Sequence, residues 1–537
     1  MNRVNMLESL SENIIVDRDK CTSCGICVDT CILDNLRLQL SPCRQACPLG
    51  VNCQGYVQLI ARGEEAKAVE LLRETLPFPG ILGRICSQPC EDGCHHKNTD
   101  GEPVAIRALK RYLADEFDSN PAIPQIAPDT DRSAAVIGSG PAGLMAAYDL
   151  RSRGHAVTIY ETEPEPGGML RWAIPEFRLP AVVVEREIDL LRQMGVSFRL
   201  KTAVGSDLEM NALKASHQAV IVATGCPHYL RLENSGESLA AIVHGLPFLK
   251  SVRCGQRPAV GRQVVVIGGG NVAVDAAQTA LRLGAEQVTM VCLEAAHEVP
   301  AHPDALAQAK AEGIRLECSW GSVEFLSRDG ELNGVVFQRC VQVFDDQDCF
   351  CPQFDACELN QIDCDMVIVA IGQTADQQAL DQMGLAADIA AGVDPLTLQT
   401  SDPMVFMAGD VLSGPSSVIA AMAKGRQAAE SAHRYLSAEH LRYGRVYGGP
   451  VETGFEINTD HGNGAERAPI PHGALAGAGD FDEIEQCFDT TTARREAGRC
   501  YNCGVPFGKY RTCWFCLPCE VECPHTAMYV EIPYLLR

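Results

Sequence analysis

The sequence lacks any long apolar run. Its most hydrophobic stretches, such as 219–223 and 366–371, are of strand length and end at polar residues, whereas a membrane-spanning helix needs about 18–20 consecutive apolar residues. The first residues also lack a basic stretch followed by an apolar core, the pattern of a secretory signal. These absences lead us to expect a cytoplasmic protein without a membrane span.

Positive charge is also in deficit. The 537 residues contain 45 Lys and Arg against 69 Asp and Glu, which gives a net charge of −24. Proteins that bind nucleic acid neutralise its phosphates with clustered Lys and Arg, so we expect no nucleic-acid partner. The chain is too long for a single core, and its length predicts roughly three or four domains.

Cysteine is the residue in excess. The chain has 26 cysteines, of which ten lie in residues 21–94 and six in residues 500–523. Disulfide-rich scaffolds are typically small and secreted. Since this chain is long and carries no secretory pattern, its cysteines predict metal sites instead.

Two cysteine runs have the spacing of bacterial ferredoxins. The first comprises Cys21, Cys24, Cys27 and Cys31, and the second, which is followed by a proline, comprises Cys513, Cys516, Cys519 and Cys523. In such runs three thiolates surround one [4Fe–4S] cluster while the fourth reaches another cluster. Zinc sites use paired CxxC motifs or His partners, so the spacing favours iron and sulfide.

A strand, a glycine-rich turn and a helix are predicted from residue 133 onward. Glycines at the first, third and sixth positions of the turn allow a tight bend, a close approach to a pyrophosphate and close helix packing, and an acid ending the next strand can bind a ribose. The residues of this dinucleotide site are Gly138, Gly140, Pro141, Ala142, Gly143 and Glu161.

The same pattern recurs about 130 residues later, so we expect two dinucleotide-binding folds in tandem. The second turn contributes Gly268, Gly270, Asn271, Val272 and Ala273. An alanine at the last position often accompanies NADP, although this correlation is weak. The following strand ends near Glu294, and a carboxylate there would repel a 2′-phosphate and accept a hydrogen bond from a free 2′-hydroxyl. The acid therefore predicts NADH over NADPH.

The chain resembles the glutamate synthase small-subunit family over about residues 41–440. The resemblance rests on EPGGMLRWAIPEFRLP at 165–180, VATG at 222–225 and FMAGD at 406–410. It implies that the first fold binds FAD. It also implies that NADPH-using relatives carry two arginines where this chain has Leu293 and Glu294. The further cofactor-binding residues that we predict are Gly168, Met169, Leu170, Arg178, Thr224, Gly225, Gly409, Asp410, Val418 and Gly372.

A third group of cysteines also has counterparts in relatives. PCRQACPLG at 42–50 and GRICSQPCEDGC at 83–94 resemble the N-terminal cluster domain of that family and of dihydropyrimidine dehydrogenase. In those relatives an upstream CxxCG pair completes two clusters, and EAGRCYNCGVPFG at 496–508 looks like that pair displaced to the C-terminal region. Relatives also use a Gln or Glu from a later helix as a ligand. This chain offers Lys110 and Arg111 there, so Cys53 is predicted to substitute.

Sixteen cysteines suffice for four clusters with four thiolates each. We expect two ferredoxin-type clusters and two of the family type, with three clusters and spare thiols as the alternative. The four predicted ligand sets are Cys21, Cys24, Cys27 and Cys523; Cys31, Cys513, Cys516 and Cys519; Cys43, Cys94, Cys500 and Cys503; and Cys47, Cys53, Cys86 and Cys90.

The predicted fold class is α/β, with two tandem Rossmann-like domains flanked by a helical iron–sulfur domain and ferredoxin-like segments. We place these at 1–40 (ferredoxin-like), 41–130 (helical iron–sulfur), 131–255 and 371–440 (FAD), 256–370 (NAD(P)H), 441–480 (linker) and 481–537 (ferredoxin-like).

The predicted function is an NADH-dependent electron-input subunit that passes electrons through FAD and clusters to a partner subunit or a ferredoxin. The alternatives are an NADPH-dependent glutamate synthase small subunit and a flavin-based electron-bifurcating subunit. Hydride transfer between NADH and FAD is the cofactors' own chemistry, so no catalytic acid, base or nucleophile is predicted.

Overall fold

The structure is a computed structural model that describes residues 13–99, 101–232, 234–347, 349–446, 448–473, 477–509, 513 and 515–531. The chain forms two compact units. The first comprises Met1–Ala122, Arg442–Pro471 and Cys487–Arg537, and the second comprises Ile123–Leu441 and His472–Gln486. In the part of the chain that the structure describes, no helix is both long and apolar enough to cross a membrane.

A five-stranded parallel sheet organises the first half of the second unit. Its strands at 133–137, 219–222 and 405–407 are buried on both faces and therefore read as continuous apolar runs. In spatial order they are Val405–Met407, Ala219–Val222, Ser133–Ile137, Ala156–Tyr160 and Ser197–Arg199. The helices of this part are Pro141–Ser152, Met169–Trp172, Ala181–Gln193, Met210–Ser216, Gln377–Gln382, Ala386–Ala391, Asp410–Ser413 and Val418–Leu436.

A second parallel sheet of five strands follows in the same unit. Its order is Arg315–Cys318, Gln287–Cys292, Gln263–Ile267, Met366–Val369 and Ile242–His244. Helices Gly245–Arg253, Asn271–Arg282 and Pro303–Ala311 accompany it, and an antiparallel meander of Trp320–Arg328, Glu331–Phe344 and Phe350–Ile362 is inserted before the strand at 366. The short strands His228–Tyr229 and Gln373–Thr374 pair with each other. The predicted fold class is confirmed by these two Rossmann-type folds.

The two ends of the chain pair with each other in the first unit. Strand Ile14–Val16 lies antiparallel to Met528–Val530, and Leu36–Gln39 lies between Val451–Glu452 and Pro506–Gly508. The helices of this unit are Ile26–Asp29, Pro42–Ala46, Cys53–Ala61, Glu65–Arg73, Pro79–Ile85, Pro89–Asp92, Ile106–Tyr112, Thr490–Ala497 and Pro518–Val521, with a 3₁₀ turn at His95–Asn98 and a π turn at Leu113–Phe117.

The apolar pattern over 55–74 predicts helical sequence, and the structure divides this segment into two helices. Cys53–Ala61 ends before Gly63, which has a φ of +74°. Glu65–Arg73 then begins in a new direction. The break has a local cause, because a left-handed residue cannot continue a right-handed helix.

The segment 441–480, which we predict to be a linker, also contributes to both units. Its strand Val451–Glu452 extends a sheet of the first unit, where Ala468 is fully buried. In the second unit, the amide of Gly479 donates to the carbonyl of Arg282. The linker interpretation misses these contacts because a two-residue strand and isolated hydrogen bonds leave no periodic signal in a Gly-, Ala- and Pro-rich sequence.

A chain of hydrogen bonds links two histidines in the second unit. Nε2 of His155 and Nδ1 of His433 share a hydrogen bond of 2.9 Å, and Nδ1 of His155 shares one of 2.7 Å with the Thr130 hydroxyl. His155 is fully buried. Burial, helped by His433 and neighbouring arginines, lowers the pKa of His155 to about 4. The pair is therefore neutral at physiological pH.

This depressed pKa predicts a loss of stability in acid. Because the unfolded chain protonates His155 near pH 6.5 and the folded chain only near pH 4, its stabilising contribution is complete above pH 6.5 and decreases as the pH falls toward 4. We expect about 1 kcal/mol to be lost between pH 7 and 5.5. In thermal unfolding, the difference in Tm between the protein and its His155→Gln variant should shrink over that range. A constant difference would contradict the assignment, and His297→Gln at an exposed position serves as the control.

Candidate cofactor and iron–sulfur sites

The first predicted ligand set, quartet A (Cys21, Cys24, Cys27 and Cys523), lines a cavity of about 330 Å³. Burial raises the pKa of the Cys27 thiol, and the charges of the other three thiols of quartet A, followed by that of Cys519, raise it further. The structure thus brings thiols from the two ends of the chain to one cavity.

Quartet B (Cys31, Cys513, Cys516 and Cys519) lies beside quartet A. Burial raises the pKa of Cys519 to about 11, with further contributions from the thiols of Cys31, Cys513 and Cys516. Of the sixteen predicted ligands, Cys516 is the exposed one. Quartet B is therefore the set that opens to solvent.

Quartet C (Cys43, Cys94, Cys500 and Cys503) surrounds a cavity of about 400 Å³ that Cys53 also lines. Burial raises the pKa of Cys500 to about 12, and the thiols of Cys43 and Cys94 contribute to the increase. The displaced CxxCG pair at 500–503 is thus brought against the N-terminal cysteines of the same predicted set.

Quartet D (Cys47, Cys53, Cys86 and Cys90) comprises the four thiols whose charges act on the buried side chain of Lys110. Burial lowers the pKa of Lys110, but the four thiols of quartet D outweigh it and raise that pKa overall. Cys53 lies between quartets C and D, since it lines the cavity of quartet C and the thiols of Cys43 and Cys90 both raise its pKa. Because quartet C already has four other thiols, Cys53 is the residue that can complete quartet D.

The dimensions of these sites fit clusters better than single ions. Among the described residues, no three His, Cys, Asp or Glu side chains converge as ligands of one metal ion do. A [4Fe–4S] cluster is larger than one ion, so its thiolates stand farther apart around a cavity. All sixteen cysteines are free thiols, and the iron of a cluster would stabilise their buried thiolate forms.

The first glycine-rich turn has the geometry that a bound pyrophosphate requires. Gly138 has a φ of +98°, and a Cβ atom there would collide with the carbonyl of Ala223. Gly143 packs as tightly against the carbonyl of Gly138. By contrast, a Cβ at Gly140 would meet nothing within 4 Å. The turn is thus packed on the protein side and open at the start of helix Pro141–Ser152, whose free N–H groups favour anions.

Glu161 is held firmly against this turn. Its Oε2 accepts hydrogen bonds from the amide of Ser139 at 2.9 Å and from the Ser139 hydroxyl at 2.5 Å, and its Oε1 accepts from Thr162 and from the amide of Glu163. Ser139 also accepts a hydrogen bond from the amide of Gly167 at 2.9 Å. Sequence reasoning missed this role of Ser139, although a hydroxyl between the first two glycines is a readable signal.

The other predicted flavin residues lie around the same sheet. Gly409 and Ala142 are in close contact, and Asp410 begins the short helix before Val418, the first residue of the long one. Burial raises the pKa of Asp410, against the effect of the hydrogen bond that its carboxylate accepts from Ser416. The remaining predicted residues are Gly168, which contacts Gly140; Met169 and Leu170 in the next helix; and Thr224 and Gly225 after a central strand.

Arg178 makes an ion pair. Its Nη1 donates to Oδ1 of Asp275 at 2.6 Å, and burial raises the pKa of Asp275 despite this partner. Since Asp275 lies in the helix that follows the second glycine-rich turn, Arg178 joins the two Rossmann-type folds.

The second turn repeats the geometry of the first. Gly268 has a φ of +140° and packs against the carbonyl of Ala370, whereas a Cβ at Gly270 would meet open space. Asn271 accepts a hydrogen bond from the amide of His302 at 3.0 Å. Val272 and Ala273 continue the helix, with Ala273 fully buried, and Gly372 follows a neighbouring strand with a φ of +137°.

Glu294 lies over this second turn. A Cβ on Gly269 would come within 2.9 Å of Oε2 of Glu294, so the carboxylate contacts the turn at the point where a ribose would approach it. The side chain is half-buried. Beside the Cys292 thiol, its carboxylate has no cationic partner among the described residues. It is therefore available to a ligand.

The comparisons with known proteins agree with this geometry. Residues 132–425 match the model of the pyridine nucleotide-disulphide oxidoreductase family. The chain belongs to this family. Residues 5–122 also match the model for dihydropyrimidine dehydrogenase domain II, 4Fe-4S cluster, so the chain is an iron–sulfur flavoprotein oxidoreductase, as its resemblance predicts.

Curated relatives of this family differ in their nucleotide. The chain is 34% identical to the NADP(+)-dependent formate dehydrogenase subunit beta of Moorella thermoacetica, over 86% of this chain and 70% of that protein. It is 32% identical to the NADPH-Fe(3+) oxidoreductase subunit beta of Geobacter sulfurreducens, over 86% and 75%. It is also 33% identical to the NAD-dependent dihydropyrimidine dehydrogenase subunit PreT of Escherichia coli, over 74% and 91%.

The open glycines predict a reciprocal pair of variants. Gly140 and Gly270 have φ values of −70° and −86°, which alanine adopts without strain, so each Gly→Ala change should leave the unliganded fold as stable or stabilise it by about 0.4–1 kcal/mol. We expect Gly140→Ala to lower the FAD content of the purified protein and Gly270→Ala to raise KM for the nicotinamide nucleotide while FAD content stays full. Each variant controls for the other, and full FAD occupancy in Gly140→Ala would contradict the assigned pyrophosphate position.

Proposed function

We propose that this chain is an NADH-dependent electron-input subunit that moves electrons through FAD and four [4Fe–4S] clusters to a partner redox protein. The observation that carries the nucleotide choice is Glu294 on the second glycine-rich turn. Bound FAD would supply the conversion between two-electron hydride transfer and one-electron transfer to clusters.

The preference for NADH rests on charge. Relatives of similar identity are named for NADP(H) and for NAD, so membership of the family leaves the nucleotide open. A 2′-phosphate would bring negative charge to the half-buried, unpaired carboxylate of Glu294, whereas a free 2′-hydroxyl can donate a hydrogen bond to it. Leu293 adds no positive charge. Both features favour NADH.

The role of the chain's own residues is to bind and orient the two nucleotide cofactors. The open turn at Gly140 and the start of its helix would hold the FAD pyrophosphate, with Glu161 on the ribose and Asp410 on the flavin side. The turn at Gly270 and the carboxylate of Glu294 would hold NADH. We assign no proton transfer to the protein, because hydride transfer between the two cofactors needs none.

The assignment of four clusters is supported by the grouping of the thiols. Within each quartet the thiols influence one another's pKa or line one cavity, although Cys53 also lines the cavity of quartet C and Cys519 also acts on Cys27. The three-cluster alternative would leave four of these buried or half-buried thiols without a role.

The exit for electrons is proposed at quartet B. Its Cys516 is exposed, and apolar side chains flank its ligands, with Ile32 and Val521 72% and 74% exposed. Electron transfer between proteins requires a cluster near the surface, and exposed apolar side chains are typical of a contact site. The naming of relatives as subunits supports a partner subunit as the acceptor.

The role of Glu294 predicts a change in nucleotide selectivity. Glu294→Gln should weaken the charge-assisted hydrogen bonds to the ribose, which contribute about 1.5–3 kcal/mol. We therefore expect KM for NADH to rise roughly 10- to 100-fold with kcat unchanged. Turnover with NADPH should improve. Steady-state reduction of a dye by each nucleotide measures both effects.

Glu298→Gln is the matched control, because it removes the same charge from an exposed position four residues away and should leave both KM values unchanged. Comparable kcat/KM for NADH and NADPH in the unmodified protein would contradict the proposed preference.

The cluster count predicts an iron content of about 16 atoms per chain. Cys53→Ala should lower it to about 15 if quartet D retains a three-iron cluster, or to about 12 if the cluster is lost. Cys357→Ala, at an exposed position of the meander, should leave the iron content unchanged. About 12 irons in the unmodified protein, or no loss in Cys53→Ala, would contradict the four-cluster proposal.

A further inference from the structure

Lys110 is a buried cation without a counter-ion of the usual kind. It lies in helix Ile106–Tyr112 and is 3% exposed. Among the described residues no carboxylate forms an ion pair with it, and it donates no hydrogen bond. An ammonium group that is removed from water without a partner is costly, so something at this position has to compensate its charge.

Neighbouring arginines do not share this situation. Arg84 and Arg111 both pair with the carboxylate of Asp115, at 2.9 and 3.1 Å. Arg107 donates to the carbonyl oxygens of Gly83 and Arg84. The protein thus neutralises or solvates these arginine cations, whereas Lys110 has no such partner among the described residues.

The helix that carries Lys110 packs against the segments that carry the thiols of quartet D. The amide of Arg107 donates to Oε1 of Glu91 at 2.8 Å, beside Cys90. The hydroxyl of Tyr56, one helical turn after Cys53, donates to the carbonyl of Ile106 at 3.1 Å. The charges that act on Lys110 are those of Cys86, Cys90, Cys53 and Cys47, which make up quartet D. The ammonium group is therefore buried beside groups that become negatively charged when a cluster binds.

We propose that Lys110 is the buried counter-cation of a [4Fe–4S] cluster on quartet D and that it raises the reduction potential of this cluster. The inference rests on the proposed function, which assigns a cluster to quartet D. Lys110 is a tuning residue and not a ligand, because a protonated amine has no lone pair to offer to iron.

The effect follows from electrostatics. A cluster with four thiolates has a net negative charge that grows by one when it accepts an electron. A fixed positive charge stabilises the more negative state by a larger amount, and the low dielectric of a buried site strengthens this difference. One electron enters the cluster, no bond forms or breaks, and Lys110 keeps its protons.

The effect should be confined to quartet D. Coulomb interactions weaken with distance, and the helix of Lys110 packs against the segments that carry Cys53 and Cys90. The quartet D cluster is therefore expected to be reduced before at least one of the others in a titration.

The test is a redox titration of the full-length protein with dithionite, followed by electron paramagnetic resonance of the reduced clusters. Lys110→Met and Lys110→Leu remove the charge but keep an apolar side chain of similar length, and Lys110→Arg keeps the charge. We expect both neutral variants to shift one cluster to a lower midpoint potential with the others unchanged. Lys110→Arg should stay close to the unmodified protein. Lys67→Leu, at an exposed position, is the control.

Unchanged potentials in a neutral variant with full iron content would overturn the inference and leave the proposed function intact. If both neutral variants lose the iron of one cluster, Lys110→Arg decides the outcome. Full iron content in Lys110→Arg would support a role for the positive charge, whereas loss of iron in that variant would overturn the inference. Cys53→Ala separates failure of this inference from failure of the proposed function. Unchanged iron content in that variant would mean that quartet D holds no cluster, which would contradict the proposed function itself.

Discussion

The pairing of the two ends of the chain is the constraint on which the cluster-bearing unit depends. Strand Ile14–Val16 meets Met528–Val530 in register, and Leu36–Gln39 accepts Pro506–Gly508 as its neighbour. A buried group that includes Cys27, Leu36 and Met528 closes around these contacts. Quartets A, B and C each take thiols from both ends, so none of them can assemble before this pairing. The entropic cost of closing so long a loop grows only slowly with its length, and bound clusters would then act as cross-links that offset it.

Burial of so many thiols in one unit has an electrostatic consequence. Burial opposes the ionisation of these thiols, as the raised pKa values of Cys500 and Cys519 show. The chain has a net charge of −24, so it supplies little general positive potential. Thiolates at these sites would therefore depend on local sources of positive charge, which in the proposed assignment are iron at each quartet and an ammonium group at quartet D.

Short-range signals explain which parts of this molecule can be predicted from its sequence. The glycine-rich turns and the long helices are local and periodic, so the α/β fold class and the positions of Gly138 and Gly268 are predictable. The groups of cysteines follow from counting ligands and from a family resemblance. The strand at Val451–Glu452 is too short to leave a pattern. Lys110 is visible in the sequence only as a residue that cannot ligate iron, because its significance depends on burial beside thiols distant in sequence.

The two Rossmann-type folds differ in how firmly they hold their acids, and this difference matches a cofactor that stays and one that exchanges. The amide of Gly138 donates to the carbonyl of Tyr160, and that of Gly268 donates to Val291. Tyr160 and Val291 are therefore equivalent positions, and the residues that follow them, Glu161 and Cys292, correspond to each other. Glu294 lies two residues beyond the position that corresponds to Glu161. Glu161 is buried and fixed by four hydrogen bonds before any ligand binds, which lowers the entropic cost of holding a ribose. Glu294 is half-buried, and among the described residues it lacks the backbone and hydroxyl donors that fix Glu161, so a nucleotide would bind a less constrained carboxylate. This contrast supports the proposal that the first turn holds a resident flavin and the second a nicotinamide nucleotide that exchanges.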